Sequence, residues 1–226
     1  LANEYADLIR SRESGGNYGA LNNQGGTAAG AYQITAGTLE SLGYVQYNGG
    51  GRGSWSSYSW TSQSVSQGVG SLNDFLHTSS GHALQDQAFG TLTTRNWSSL
   101  SSAARGLVGQ TVGGVTFTES GLLTAAHFLG AGALNDWVAS GFDPTVLPSR
   151  YLSANGFSSY EELQAHIMNR IGGASGTSYA GGFGDSFGTG GTYGATQGFP
   201  GFGPKRPVLI RETPPFQGDR KTLGGS

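Results

Sequence analysis

Apolar residues return at helical spacing over most of the first 171 positions. In residues 3–12, Tyr5, Leu8 and Ile9 share one stripe, which stops at Glu13-Ser14-Gly15-Gly16. That pattern predicts a short helix with a carboxylate at its end. Residues 35–42 predict a second helix, with Leu39 and Leu42 inward and Thr35 placed to cap it. A longer period follows over 62–77 (Val65, Val69, Leu72, Phe75, Leu76), another over 82–95 (Leu84, Ala88, Phe89, Leu92), and a shorter one over 99–108. Residues 111–117 break the pattern, since β-branched residues flank Gly113-Gly114, a hairpin signal. The helical period resumes over 119–128, is interrupted by Gly130-Ala131-Gly132, and resumes over 133–139. The last predicted helix is 159–171. Ser159-Tyr160-Glu161-Glu162 reads as a capping box, and Leu163, Ile167, Met168 and Ile171 form the apolar face. Many short helices with at most one small hairpin give a predominantly helical α+β domain, with no repeat at solenoid periods.

Near residue 172 the pattern ends. Glycine alternates with aromatics through Phe183, Phe187, Tyr193, Phe199 and Phe202, and prolines follow at 204, 207, 214 and 215. Such a stretch has little aliphatic material for a core and many residues that oppose a helix. The expected organisation is a domain over 1–171 and a Gly/aromatic/Pro-rich tail or linker over 172–226. Charge shifts at the same border. Both lysines, Lys205 and Lys221, fall in the tail, and the formal charge is about −4 before the border and about +2 after it.

Composition narrows the function classes. Only 12% of residues are charged, 41 are glycine, and the net charge is −2, so nothing favours nucleic acid or an anionic membrane. No apolar run reaches membrane-spanning length. The absence of cysteine removes disulfides, thiolate metal sites and cysteine nucleophiles. His77 and His82 are five apart with no accompanying acidic cluster, so no metal is expected, and no other cofactor is indicated. The opening Leu1-Ala2-Asn3-Glu4 reads as a processed or excised segment of something longer.

Candidate chemistry begins with Glu13. A carboxylic acid beside glycines suits protonation of a glycosidic oxygen, because burial keeps the acid protonated and glycine lets a sugar approach the backbone. The second segment is Gly30-Ala31-Tyr32-Gln33-Ile34-Thr35. Tyr32 offers a ring and a hydroxyl, and Gln33 an amide that both donates and accepts. Gly30 also reads as a plain turn, and Tyr32 as a core aromatic. Further carboxylates that a hydrolytic mechanism would draw on are Glu40, Asp86, Glu119, Asp136 and Asp143. Trp55 and Trp60, in the Gly/Ser/Tyr-rich loop of residues 49–60, offer faces for sugar stacking, whereas Trp97 and Trp137 read as core.

Glu13-Ser14-Gly15 and, seventeen residues on, Gly30-Ala31-Tyr32-Gln33 together resemble the catalytic core of soluble lytic transglycosylases and goose-type lysozymes. The resemblance covers residues 1–45, and more loosely 118–152. It implies a lysozyme-like fold and cleavage of the MurNAc–GlcNAc bond of peptidoglycan. Glu13 would be the acid/base, and Ser14, Tyr32 and Gln33 would lie at the substrate. Ala126-His127-Phe128-Leu129-Gly130-Ala131-Gly132 is similar to the family's Ala-Tyr-Asn-Ala-Gly-x-Gly segment, with His127 at the Tyr position and Phe128 at the Asn position. Tyr151, in Ser149-Arg150-Tyr151-Leu152, resembles the family's late cleft tyrosine and reads equally as core. Three readings stay open: a lytic transglycosylase forming a 1,6-anhydro product, a hydrolytic muramidase, and a structural or peptidoglycan-binding part of a larger assembly. For the last, partners in a virion or secretion apparatus would bind through the tail, and the site of action would be the periplasm or cell wall.

Overall fold

The computed structural model describes residues 4–22 and 26–174. The tail from 175 onward, and residues 23–25 of the loop between the two motifs, lie outside the described residues. The described residues are predominantly helical, with two small antiparallel hairpins.

Among the described residues ten α-helices follow in order: α1 (Glu4–Ser14), α2 (Ala36–Ser41), α3 (Ser62–Ser66), α4 (Leu72–His77), α5 (Ser79–Ser99), α6 (Ser102–Arg105), α7 (Glu119–Leu129), α8 (Ala131–Ala139), α9 (Arg150–Asn155) and α10 (Tyr160–Gly172). Strands β1 (Val45–Tyr47) and β2 (Tyr58–Trp60) pair with Val45 opposite Trp60. Strands β3 (Thr111–Val112) and β4 (Val115–Thr116) pair across Gly113-Gly114, whose φ values of 56° and 79° are those of a tight two-residue hairpin turn.

Hydroxyl caps start most of these helices. The side chain of Thr35 accepts from Thr38 N, that of Thr118 from Gly121 N, and that of Ser159 from Glu162 N. Glu162 reaches back to the N–H of Ser158 at 2.8 Å, which completes a variant of the expected capping box.

Two predicted elements differ, and one helix has no counterpart in the sequence pattern. The single helix expected over 62–77 is two, α3 and α4, because the chain turns at Gly68 with φ 82°. Val65, expected inward, is exposed as a result, while Val69 in the link is fully buried. The loop expected over 49–60 is flanked by the β1–β2 hairpin, so there are two hairpins where one was expected. Helix α9 follows no apolar period.

Two buried clusters form the core. The first joins α1, residues 29–34, α2, the β1–β2 hairpin, α4 and α5, around Ile9, Leu39 and Phe75. The second joins α6 through α10, around Phe117, Leu122, Trp137 and Ile167. Helix α7 links them, since Leu123 belongs to the first cluster and Leu122 to the second. Trp137 is core as expected, and Trp97 packs partly buried against both clusters.

The corner between α4 and α5 is tight, with Thr78 closing the first helix and capping the second. A Cβ at Gly81 would press on the carbonyl oxygen of Asp74 and lie 2.5 Å from that of Phe75. Neither atom can rotate aside. Gly81→Ala is therefore expected to lower stability by about 1–3 kcal/mol, read as a reduced urea midpoint.

Candidate functional site

Glu13 lies in the last turn of α1 because the helix runs one residue past it and then meets two glycines. Gly15 and Gly16 adopt φ 67° and 83°, and their N–H groups bond the carbonyls of Ser11 and Arg10 at 3.1 and 3.0 Å. A side chain at either position would be strained, which makes this glycine pair a helix stop.

The carboxylate points into the protein. Arg170 of α10 donates from Nη1 to Glu13 Oε1 at 2.9 Å, and the two side chains are only 10% and 2% exposed. Glu13 Oε2 makes no hydrogen bond among the described residues. Three further contacts fix Arg170: Nε donates to His166 Nε2 at 2.9 Å, the guanidinium lies 4.7 Å from the centre of the Phe128 ring, and its backbone carbonyl accepts from Arg12 Nη1 at 3.3 Å. His127 of α7 is half-buried beside this pair, and its Nε2 donates to the Tyr32 carbonyl at 3.3 Å.

Burial pushes the His127 imidazole below its ordinary value, with the Glu13 charge opposing the shift and Arg170 adding to it. Burial, with the charges of Arg170 and Arg12, pushes His166 down to about 4 against Glu13. A neutral His166 is what its hydrogen bond requires, because Nε2 must offer a lone pair to Arg170. The sign of the pH effect follows. Unfolded histidine titrates near 6.5, so the unfolded chain binds more protons than the folded one between about 6.5 and about 4. The stability from this group is complete above 6.5 and is lost as pH falls to about 4. His166→Gln, which keeps an acceptor, is expected to flatten part of that decline in urea midpoints measured across the interval.

The second motif meets the first. Ser14 Oγ donates to the Ala31 carbonyl at 2.8 Å, which ties the end of α1 to the turn at residues 29–34. Ala29 and Ile34 close that turn with paired backbone hydrogen bonds of 3.1 and 3.0 Å. Gln85 of α5 accepts from Ala31 N at 2.7 Å and donates to the carbonyls of Phe75 and Tyr18. Gly30 has φ 79°, and a Cβ there would overlap the Gln85 amide, so only glycine fits.

Gln33 occupies a left-handed backbone conformation, φ 49°, rare for a residue with a side chain. It is buried, donates from Nε2 to Gly30 O at 2.9 Å, and leaves Oε1 without a partner.

Tyr32 is placed otherwise than at an open cleft. Its ring stacks on Phe89, 4.1 Å between centroids, and its hydroxyl donates to Asp86 Oδ1 at 2.7 Å. Burial pushes the Tyr32 phenol well up. Tyr151 is buried too, its hydroxyl donating to the Leu129 carbonyl at 2.5 Å, where it closes the end of α7.

Three of the other candidate carboxylates have separate employment. Asp86 accepts from Tyr18 as well as Tyr32, Glu40 pairs with Arg52 at 2.6 Å, and Asp143 caps a short 3-10 turn at Thr145. Glu119, at the start of α7, is pushed up by burial. Trp55 and Trp60 stack on each other at 6.0 Å, and Trp60 leans on Phe75. Among the described residues no group of His, Cys, Asp and Glu is arranged to hold a metal, and no helix is long and apolar enough to cross a membrane.

Arg170, His166 and Gln85 are the site residues that sequence reasoning missed. Arg170 and His166 sit on α10 without a motif, and only packing shows what they face. No family model, no curated protein and no solved structure matches the chain.

Proposed function

We propose that this chain is a peptidoglycan lytic transglycosylase with a lysozyme-like fold, cutting the MurNAc–GlcNAc bond. The observation that carries the reading is the junction of its two motifs. Ser14, next to Glu13, is hydrogen-bonded to the turn that presents Gln33, so the residues behind the resemblance form one local unit around a buried carboxylate.

Glu13 enters the proposed reaction in its acid form, restored at the end of each turnover by the proton of the C6 hydroxyl, and protonates the glycosidic oxygen as the C1–O bond breaks. The substrate's N-acetyl group stabilises the developing cation. The Glu13 carboxylate then takes the proton of the C6 hydroxyl, whose oxygen closes on C1 to give the 1,6-anhydro sugar. One carboxylate serves both steps, which suits a chain whose other acidic candidates are largely engaged elsewhere. Arg170 would stabilise the anionic stage between the steps. Glu13 Oε2 is the oxygen that would face the sugar. Gln33, with its unpartnered Oε1, would accept from a sugar hydroxyl or amide. Local opening of the cell wall for a virion or secretion machine, with the tail as attachment, is the setting in which such a domain would act.

Digestion of purified peptidoglycan with mass spectrometry of the products tests this. Anhydro-muropeptides are expected. Products with a reducing end, heavier by one water, would replace the transglycosylase by a muramidase, and no cleavage would remove the enzymatic reading.

A further inference from the structure

His166 and Arg170 stand four residues apart on α10, so their side chains leave the same face of the helix. The proposed reaction gives His166 no part, yet its place is closely set. The half-buried imidazole lies between two aromatic rings, with centroids 4.8 Å from Phe128 of α7 and 5.1 Å from Phe157 in the segment after α9. Its Nε2 accepts from Arg170 Nε at 2.9 Å, so the ring is neutral and carries its proton on Nδ1. The Phe128 ring also lies under the guanidinium, at 4.7 Å.

A guanidinium has two edges that can fork onto both oxygens of a carboxylate, Nε with Nη2 and Nη1 with Nη2. By taking Nε, His166 closes the first. The bond to Glu13 is made from Nη1, to Oε1 at 2.9 Å, and Oε2 makes no hydrogen bond among the described residues. Proton transfer needs that asymmetry. A carboxylate forked through both oxygens has its inward lone pairs occupied, whereas one held at a single oxygen keeps the other open to give a proton and take one back.

We propose that His166 is a positioning residue for the acid/base: by holding Arg170 through Nε, it confines the guanidinium to Glu13 Oε1 and reserves Oε2 for proton transfer. This rests on the reading of Glu13 as the acid/base of glycan cleavage.

Protonation of His166 undoes the arrangement, because an imidazolium has no lone pair for Nε and repels the guanidinium. The charged and titratable groups around it are Arg170 on its own helix, Glu13 and Arg12 on α1, and, beside the same carboxylate, His127 on α7. Burial, Arg170 and Arg12 push His166 down to about 4 against the opposing effect of Glu13, so the neutral ring persists well into the acid range.

The test is turnover and KM of the full chain on soluble peptidoglycan strands, from neutral pH to below about 4, normalised to folded protein. His166→Leu places an apolar side chain between the two phenylalanines and removes the acceptor. At pH 7 it is expected to lower kcat by about tenfold or more with KM little changed. His166→Gln keeps an acceptor and is expected to recover most of that loss. The pH profile separates positioning from packing. Wild type should lose turnover as pH falls through about 4, where His166 takes its proton, and His166→Gln should keep a larger share of its neutral-pH turnover over the same interval. If His166→Leu does not fold, the comparison of wild type with His166→Gln decides alone. Wild-type kcat in His166→Leu, equal losses in both variants, or parallel pH profiles for wild type and His166→Gln would overturn the positioning role and leave Glu13 as the acid/base. No cleavage by wild type would overturn both readings, and the wild-type control tells that failure from the first.

Discussion

Glu13→Gln is expected to lower peptidoglycan cleavage by about 10²–10⁴-fold, the usual contribution of a general acid–base group. The amide has nearly the size and shape of the carboxyl but neither gives up a proton nor takes one from a hydroxyl. Its oxygen still accepts from Arg170 Nη1, now at 2.9 Å from Glu13 Oε1, so the packing between α1 and α10 has no steric reason to change. The loss should therefore appear in turnover, with the circular dichroism spectrum retained. Product appearance from sacculi, normalised to folded protein, is the measurement. A variant within tenfold of wild type would take Glu13 out of the chemistry and turn attention to Glu119, whose carboxyl is pushed up by burial.

Arg170→Met carries the largest expected effect on folding. It removes one member of an ion pair whose side chains are 2% and 10% exposed. The pair's own net contribution is small, because desolvating two charges offsets most of their attraction. Breaking it is different, since the carboxylate then stays buried without a countercharge, at a cost of about 3–5 kcal/mol. Methionine fills much of the same volume against Phe128, so the loss reports charge and hydrogen bonding more than a cavity. The hydrogen bond to His166 goes as well. A domain of this size has about 5–15 kcal/mol in total, so the variant is expected to lose a large share of its stability at pH 7 in urea titration. Adding Glu13→Gln should return part of the loss, because the orphaned charge disappears; the double variant should be less destabilised than the sum of the singles. A cost under 1 kcal/mol for Arg170→Met alone would contradict the buried pair.

Helices α1, α2, α7, α8 and α10 and the β3–β4 hairpin were legible in the sequence because their causes are local. Thr35, Thr118 and Ser159 cap through atoms three residues away, Gly15-Gly16 stops a helix where it stands, and Gly113-Gly114 turns a hairpin by itself. Local signals misled where a break was small or a pattern lacked aliphatic residues. The period over 62–77 ran through Gly68 as if it were helical. The β1–β2 hairpin is written in Tyr, Trp, Ser and Gln with a ten-residue connection, which reads as loop until Val45 and Tyr58 are seen buried against the first core.

The candidate site divides along the same line. The sequence by itself determined that a glutamate ends the first helix, that two glycines follow it, and that a Gly-x-x-Gln turn comes seventeen residues later. Those are facts of short-range order, and spacing displays them. Only the tertiary structure decided that Ser14 joins the two motifs, that Phe89 and Asp86 occupy Tyr32, and that Tyr151 closes α7. It alone decided that Glu13 faces Arg170, 157 residues away. A buried charge takes its partner from whichever helix packs against it, and that choice is made by the fit of α10 on α1 and α7, which no local pattern in the chain encodes.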